Sequence, residues 1–295
     1  MDLRLLRYFL SVAEKGNFTK AAESLYITQP TLSRQMKQLE EKLNTQLFIR
    51  NGQTIALTKS GMIFQRRAEE MIQLSEKTKA ELLESEEVLN GEIAIGSGIL
   101  KSFHSISEVI LDFSDKYPLV TYDFFTGSTE DILEKIKNGL LDFGIIFDPE
   151  PADIEGYNFI TIPVVEKWGI VMSKDNELVK KDSLKPKDLL NNRIIIPKRE
   201  NLKNDFKNWM GRQYNLIETF ATYDFIFNVS QLLEKKGLIA LSIEGAYDVT
   251  NNSSLVFKPL NPIMSSRCSL VWKNDIAINA TKREFINYLE KVFEL

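Results

Sequence analysis

The sequence predicts a mixed α/β protein: an all-α-type N-terminal domain with one hairpin, a long linker helix and a two-lobed α/β domain. Three observations support this prediction. Apolar residues recur at helical spacing through the first 43 residues. The pair Asn51-Gly52, a strong hairpin signal, follows directly. Beyond residue 90, β-prone apolar runs alternate with amphipathic helical patterns, which is typical of sheets with parallel strands.

Three short helices are predicted before the hairpin. The first covers residues 2–15, where apolar residues recur on one side. The second covers roughly residues 20–26, with Thr19 as its N-cap. The third begins after Thr28, and Pro30 occupies its first turn, where a missing N–H does no harm.

The third helix has one apolar and one polar face. At about 100° per residue, its core side falls within roughly 60° and holds Leu32, Met36, Leu39 and Leu43. Arg34 lies on the opposite side. A helix that follows a short helix and a tight break, and that presents Gln, Thr, Ser and Arg at its N-terminal end, is suited to a DNA major groove.

The hairpin predicted after this helix has the position of a wing. Its β-prone runs are Gln46–Arg50 and Gln53–Leu57. Arg50 and Gln53 would lie near its tip, where they could reach the DNA backbone or the minor groove. Residues 1–58 therefore form a predicted winged helix-turn-helix domain.

Residues 59–89 form a predicted linker helix. This segment has no proline, and small or apolar residues recur by four and three from Phe64 to Leu82. This apolar stripe is too narrow to bury the helix in a core of its own. We therefore interpret the segment as a dimerisation helix, in which the stripe packs against a second copy of the chain. The alternative is a surface helix that lies on its own domain.

The remaining residues, 90–295, have the strand and helix order of two α/β lobes. Lobe 1 is expected to comprise residues 90–162 and 267–295, and lobe 2 residues 163–266. Sheets of this kind bind ligands in the crevice beyond the strand ends, so a cleft between the lobes is expected.

Charge and composition narrow the function classes. The chain has 295 residues and a net charge of −4, but residues 1–60 carry nine Lys and Arg against five Asp and Glu. A basic module on an acidic body suits anion binding by the first part. Arg4 and Arg7 interrupt the first apolar residues, so no signal peptide is expected, and no run approaches a membrane span. The cytoplasm is the expected compartment.

Catalytic signatures are missing from the sequence. His104 is the single histidine and Cys268 the single cysteine. The chain has no GxSxG elbow, no GxGxxG or Walker A sequence, and no cluster with metal-ligand spacing. We therefore expect neither an enzyme nor a metal or nucleotide cofactor.

The N-terminal residues FTKAAESLYITQPTLSRQMKQLEEKLNTQLFIR, followed by LTKSG, resemble the DNA-binding domain of LysR-type transcriptional regulators. This is a family of bacterial activators and repressors that small molecules control. The resemblance extends over the whole chain through the linker helix and a two-lobed domain similar to periplasmic solute-binding proteins. It implies DNA contacts by Gln29, Pro30, Thr31, Ser33, Arg34 and Arg50, to which the residue pattern adds Lys37 and Gln53.

The resemblance also implies partners. These are double-stranded DNA with an interrupted palindrome, further copies of the chain in a dimer of dimers, RNA polymerase, and a small-molecule effector. Hydroxyls at helix starts with Lys198 or Arg199 would suit a carboxylate. The candidate effector-binding residues are Ser97, Gly98, Ile99, Thr126, Gly127, Ser128, Phe147, Pro197, Lys198, Arg199 and Asn228, each of which could instead be an ordinary cap or an exposed charge.

An alternative function comes from another class of protein. The chain could be a cytoplasmic small-molecule-binding protein without DNA function, with a helical appendage on a pair of lobes. That protein would be a monomer without salt-sensitive affinity for DNA. The basic helix-turn-helix pattern favours the regulator. The aromatic group Phe220, Tyr223, Phe225 and Phe227 is interpreted as core rather than as part of a ligand site.

Overall fold

The computed structural model describes residues 2–51, 54–83, 89–147, 149, 154–234, 237–247, 254–274 and 279–293. It divides the chain into two units, residues 1–84 and 85–295. Each unit has its own core and its own set of elements. The predicted fold class, with an N-terminal winged helix-turn-helix and a two-lobed α/β part, is confirmed.

The N-terminal unit contains four helices and one hairpin among its described residues. These elements are α1 (Leu3–Lys15), α2 (Phe18–Ser24), α3 (Gln29–Leu43), β1 (Phe48–Asn51), β2 (Thr54–Leu57) and α4 (Lys59–Leu83). The strands pair antiparallel, as the Asn-Gly signal predicts. The predicted cap of α2 is wrong by two residues. The side chain of Asn17, not Thr19, accepts hydrogen bonds from the amides of Thr19 and Lys20.

An aromatic cluster forms the centre of this unit. The Phe9 ring lies 5.2 Å from that of Phe48 and 4.8 Å from that of Phe64, between ring centroids. Three α3 residues, Leu32, Met36 and Leu39, are buried in the same core. Leu43, which was expected there too, is partly exposed because α3 ends at this residue. One side of α3 is therefore fixed against the domain.

Helix α4 contacts its own domain along part of its length. Ala68 is fully buried, and Phe64 and Ile72 pack against the core beside α1. The prediction that Phe64 and Ala68 belong to a dimerisation stripe is wrong for these two residues, because the aromatic cluster already covers them. Two further apolar α4 residues, Met71 and Leu74, remain 38% and 41% exposed.

The C-terminal unit alternates strands and helices. Its first part contains β3 (Gly91–Ser97), α5 (Phe103–Lys116), β4 (Val120–Thr126), α6 (Thr129–Lys137), β5 (Phe143–Phe147) and β6 (Tyr157–Ser173). Its second part contains β7 (Arg193–Pro197), α7 (Glu200–Met210), β8 (Glu218–Tyr223), α8 (Ile226–Leu233), β9 (Leu238–Ile243), β10 (Leu255–Pro259), β11 (Ser265–Lys273) and α9 (Ala280–Val292).

The chain crosses between the lobes twice, within the long strand β6 and in the segment from β10 to β11. The sheet order is β4-β3-β5-β11-β6-β9-β7-β8, with β10 also paired to β6. Strand β6 pairs with β11 through its first half and with β9 and β10 through its second half. On either side the outer strands are parallel, β4-β3-β5 in one lobe and β8-β7-β9 in the other. The carboxyl ends of these parallel strands border the region between the lobes.

Each lobe has a separate hydrophobic core. The core of lobe 1 includes Phe113, Phe143 and Phe285, so helix α9 completes the first lobe as expected. The core of lobe 2 centres on strands β6, β7 and β9. Leu100 and Phe147 pack against both cores. No described helix is both long and apolar enough to cross a membrane.

Candidate functional site

The outward face of α3 is the first candidate site. Gln29, Pro30, Arg34 and Lys37 are exposed, and Thr31 and Ser33 are half-buried. The helix begins at Gln29 after Thr28, which occupies the N-cap with extended backbone but makes no side-chain cap bond. Instead, the hydroxyl groups of Thr28 and Thr31 lie 2.9 Å apart and share a hydrogen bond.

Arg34 lies on this face without a partner in the described part of the chain. No described acidic side chain forms an ion pair with its guanidinium, and no described acceptor bonds to it. Lys37, one turn further on, lies 3.8 Å from the Glu41 carboxylate. An unpaired guanidinium with five N–H donors, next to exposed amide and hydroxyl groups, can bind base edges or phosphates.

The wing lies in the same unit and pairs as predicted. Arg50 is part of β1, opposite Ile55 of β2. The side chain of Arg50, and Gln53 as a whole, lie outside the described residues. The base of the wing is anchored by Glu40, whose carboxylate accepts hydrogen bonds from the amides of Leu47 and Phe48. The wing therefore has a fixed origin beside α3.

A cavity of about 720 Å³ between the lobes is the second candidate site. This volume lies within the range of small-molecule sites, roughly 300–1,000 Å³. Nine of the eleven predicted effector-binding residues line it: Gly98, Ile99, Gly127, Ser128, Phe147, Pro197, Lys198, Arg199 and Asn228. The other two, Ser97 and Thr126, end their strands without lining the cavity. Ser97 is buried, and its hydroxyl donates to the carbonyl of Gly98.

Helix N-termini from both lobes border the cavity. Ser128 caps α6 in a capping box with Asp131, and the first residues of α7 and α8 line the opposite wall. The amides of Thr129 and Glu130 in α6 have no hydrogen-bond acceptor among the described residues. Such amides, together with the helix dipole, favour a negative group.

Arg199 connects the two lobes across this cavity. Its Nη1 donates to the carbonyl oxygen of Phe147 at 2.6 Å and to the hydroxyl of Thr129 at 3.2 Å. Its Nε lies 3.6 Å from the Glu130 carboxylate, and the side chain is only 20% exposed. Lys198 also lines the cavity, but it is exposed and its ammonium lies 3.8 Å from the carboxylate of Asp224, a residue of the same lobe. Arg199 is therefore a largely buried contact between the lobes, whereas Lys198 is an exposed side chain of lobe 2.

Aromatic side chains form an apolar part of the cavity wall. The rings of Phe147 and Trp168 meet edge to face, 5.6 Å between centroids, and the Trp168 indole donates to the Ser266 hydroxyl at 2.9 Å. The Tyr223 hydroxyl donates to the carbonyl of Leu241 at 2.7 Å. Burial raises the pKa of Tyr223 above its usual range.

Sequence reasoning missed several wall residues. Trp168, Tyr223 and Ser242 line the cavity, and of these only Tyr223 was singled out from the sequence, as a member of the aromatic group interpreted as core. The interpretation of the aromatic group as core is wrong in part. Phe227 is largely exposed, and Phe220 is an edge-strand residue whose ring packs under the Arg193 guanidinium. Phe225 lines the cavity.

A buried carboxylate supports the loop that lines the cavity in lobe 1. Glu166 lies on β6 where the strand passes between lobes, and it is fully buried. Its Oε1 accepts a hydrogen bond of 2.6 Å from the amide of Ser102 at the start of α5. This hydrogen bond satisfies an amide at a helix N-terminus, and it fixes the segment that follows Gly98.

Among the described residues, no group of three His, Cys, Asp or Glu side chains could hold a metal ion. His104 is an exposed residue of α5 beside Glu108, and Cys268 is buried in the core of lobe 1.

An exposed polar recognition-type helix and a two-lobed cavity define a DNA-binding protein with a ligand-binding domain. Residues 3–62 match the family described as "Bacterial regulatory helix-turn-helix protein, lysR family", and residues 86–294 match "LysR substrate binding domain". The chain belongs to the LysR family of transcriptional regulators. It is a regulator with a DNA-binding and an effector-binding domain, and not an enzyme.

Two relatives illustrate the sequence similarity. The chain is 29% identical to "Uncharacterized HTH-type transcriptional regulator YwbI" of Bacillus subtilis (strain 168), over 98% of this chain and 95% of that protein. It is 31% identical to "Probable RuBisCO transcriptional regulator" of Cyanophora paradoxa, over 66% of this chain and 60% of that protein.

Solved structures share the fold. CbnR, described as a LysR family transcriptional regulator, aligns with a TM-score of 0.76 at 16% identity, over 99% of both chains. Full-length CbnR in complex with its target DNA aligns with a TM-score of 0.75 at 18% identity, again over 99% of both chains. At this identity the likeness concerns the fold alone.

The bridge formed by Arg199 gives a test of the lobe contact. Arg199→Ala should lower the free energy of unfolding by about 1–3 kcal/mol, because two hydrogen bonds from a charged donor disappear. Lys198→Ala, which alters an exposed neighbour, should change it by about 0.5 kcal/mol or less. Urea unfolding of the full chain measures both. Equal losses for the two variants would show that Arg199 does not hold the lobes together.

Proposed function

We propose that the outward face of α3 reads operator DNA in the major groove, and that a ligand in the cavity between the lobes controls this binding. The observation that supports this proposal is the exposed N-terminal half of α3. Its apolar side is buried, and its Arg34 has no partner among the described residues. In this proposal residues 1–58 bind DNA, residues 59–89 link and pair copies, and residues 90–295 bind the effector.

The side chains of α3 have distinct proposed roles. Gln29 offers both a donor and an acceptor, which suits an adenine edge, and Arg34 suits guanine O6 and N7. Thr31 and Ser33 can bond to bases or phosphates, Pro30 packs against the groove, and Lys37 with the wing residues Arg50 and Gln53 binds the backbone.

Replacing Arg34 tests base reading. The test duplex is one that the native chain has selected from a random-sequence library. Arg34→Ala should weaken binding to this duplex by about fivefold to 150-fold, since one bidentate contact contributes about 1–3 kcal/mol. Binding to a mixed-sequence duplex should change much less. Gel-shift titrations at fixed salt measure both affinities.

Lys42→Ala is the matched control, because Lys42 is an exposed cation at the other end of α3. It should leave the preference for the selected duplex unchanged. If Arg34→Ala and Lys42→Ala have the same affinity and the same preference, Arg34 does not read bases.

We also propose that the chain assembles as a dimer of dimers on an interrupted palindrome. Helix α4 would pair two DNA-binding modules, and lobe contacts would join the pairs, so that recognition helices meet successive half-sites. The exposed apolar residues Met71 and Leu74 support this role for α4. RNA polymerase is a further proposed partner of the DNA-bound assembly. The proposed compartment is the cytoplasm, because the bacterial chromosome lies there.

A charge on α4 tests this pairing. Met71→Glu should shift the chain to a smaller species in sedimentation, because an unpaired carboxylate would be buried in the interface. Gln73→Glu adds the same charge at an exposed position two residues away and should leave the sedimentation coefficient unchanged. An unaltered Met71→Glu assembly would rule out pairing through this face.

For the effector we propose a small carboxylate. Arg199 and the open amides of α6 supply positive potential, and the aromatic wall suits an apolar ligand body. A carboxylate that replaces Glu130 and the Phe147 carbonyl as partner of Arg199 would alter the contact between lobes. That differential contact is the condition for a ligand to shift a conformational equilibrium.

A thermal-shift comparison tests the carboxylate class. A panel of small mono- and dicarboxylates, paired with their neutral amides, should contain acids that raise the unfolding midpoint where the amides do not. A ligand at 100 times its Kd stabilises by about 2.7 kcal/mol. Arg199→Met should abolish the shift. Stabilisation by the amides, or full retention of the shift in Arg199→Met, would refute the assignment.

A further inference from the structure

Each of the first three helices is followed by a residue with left-handed backbone, but these residues differ. Gly16, Tyr26 and Asn44 follow α1, α2 and α3, with φ angles of 57°, 55° and 48°. A left-handed residue after a helix is usually glycine and sometimes asparagine. Tyrosine is the exception, because its Cβ makes this conformation unfavourable.

The turn at Tyr26 is a regular helix ending despite the residue. The amide of Tyr26 donates to the carbonyl of Glu23 at 3.1 Å, and that of Ile27 donates to Ala22 at 3.0 Å. The same two bonds recur after α3, from Asn44 to Glu41 and from Thr45 to Glu40. Backbone geometry therefore explains the left-handed position but not the choice of tyrosine.

Packing does not explain the tyrosine either. Its side chain is 96% exposed, the highest value among the exposed large hydrophobic residues. Its hydroxyl has no hydrogen bond and its ring no aromatic neighbour within the described residues. An unfavourable conformation with an unpartnered side chain is typical of a residue kept for binding.

The place of Tyr26 indicates the partner. It lies three residues before Gln29, so its Cα is at most about 11 Å from the first residue of α3. The major groove is about 12 Å wide and bordered by phosphates. When the start of α3 contacts base edges, a tyrosine at that distance can reach the groove rim. A phenolic O–H is a good donor to a phosphate oxygen.

We propose that the hydroxyl of Tyr26 donates a hydrogen bond to a phosphate of the bound DNA. This inference rests on the proposed DNA-contacting face of α3. The tyrosine positions the recognition helix and carries no sequence information. Because the hydroxyl is neutral, it releases no condensed counterion, unlike a Lys or Arg contact. Its loss should weaken binding without altering the salt dependence.

The test compares four variants of the full chain: Tyr26→Phe, Tyr26→Gly, Asn44→Gly and Arg34→Ala. Their affinities are measured for the selected duplex and for a mixed-sequence duplex of equal length, each over a series of salt concentrations. Tyr26→Phe removes only the hydroxyl and should weaken both affinities by about twofold to tenfold, with an unchanged salt slope. Tyr26→Gly should weaken them at least as much, while it raises the midpoint of thermal unfolding or leaves it unchanged. Asn44→Gly, the matched left-handed position at the far end of α3, should bind like the native chain.

Three results for Tyr26→Phe would overturn the proposal. Native affinity of Tyr26→Phe overturns it, as does a loss confined to the selected duplex or a shallower salt slope. Arg34→Ala distinguishes a failure of the tyrosine contact from a failure of the proposed DNA-contacting face of α3. If Arg34→Ala loses its preference for the selected duplex while Tyr26→Phe binds normally, only the tyrosine contact is wrong. If neither variant differs from the native chain, the proposed DNA face of α3 is wrong as well.

Discussion

The burial of one side of α3 is the constraint on which the DNA-binding unit depends. Leu32, Met36 and Leu39 are inserted beside the Phe9 aromatic cluster, and each such burial contributes about 1.5–3 kcal/mol. Because a helix is rigid over four turns, this burial also fixes the direction of the opposite face. Arg34 therefore points outward although no described residue forms a bond that holds it there.

The effector domain uses a different constraint, which is the continuity of β6 from lobe 1, where it pairs with β11, into lobe 2, where it pairs with β9 and β10. A change in the contact between the lobes would leave both cores intact, because each core lies within one lobe. Arg199 is a contact that such a change would alter, since it joins a lobe 2 loop to the carbonyl of Phe147 and to the start of α6. The proposed carboxylate and the lobe contact thus involve the same guanidinium.

Much of this structure could be predicted, for identifiable reasons. Periodicity defined the faces of α3, and Asn51-Gly52 defined the wing, because both are local signals. Nine effector candidates line the cavity because strand ends in α/β sheets meet at one edge. The wrong predictions depend on tertiary packing. Phe64 and Ala68 of α4 pack into the core of their own domain, and Tyr223 and Ser242 line the cavity because of the order of the strands in the sheet, which local sequence patterns do not reveal.

Chemical protection of the operator tests the central claim most directly. Dimethyl sulfate methylates guanine N7 in the major groove and adenine N3 in the minor groove. With the native chain bound to the selected duplex, the account predicts protection of guanine N7 at two half-sites on one face of the DNA, and loss of that protection with Arg34→Ala. Full N7 reactivity in the bound complex, with protection confined to the minor groove, would contradict it.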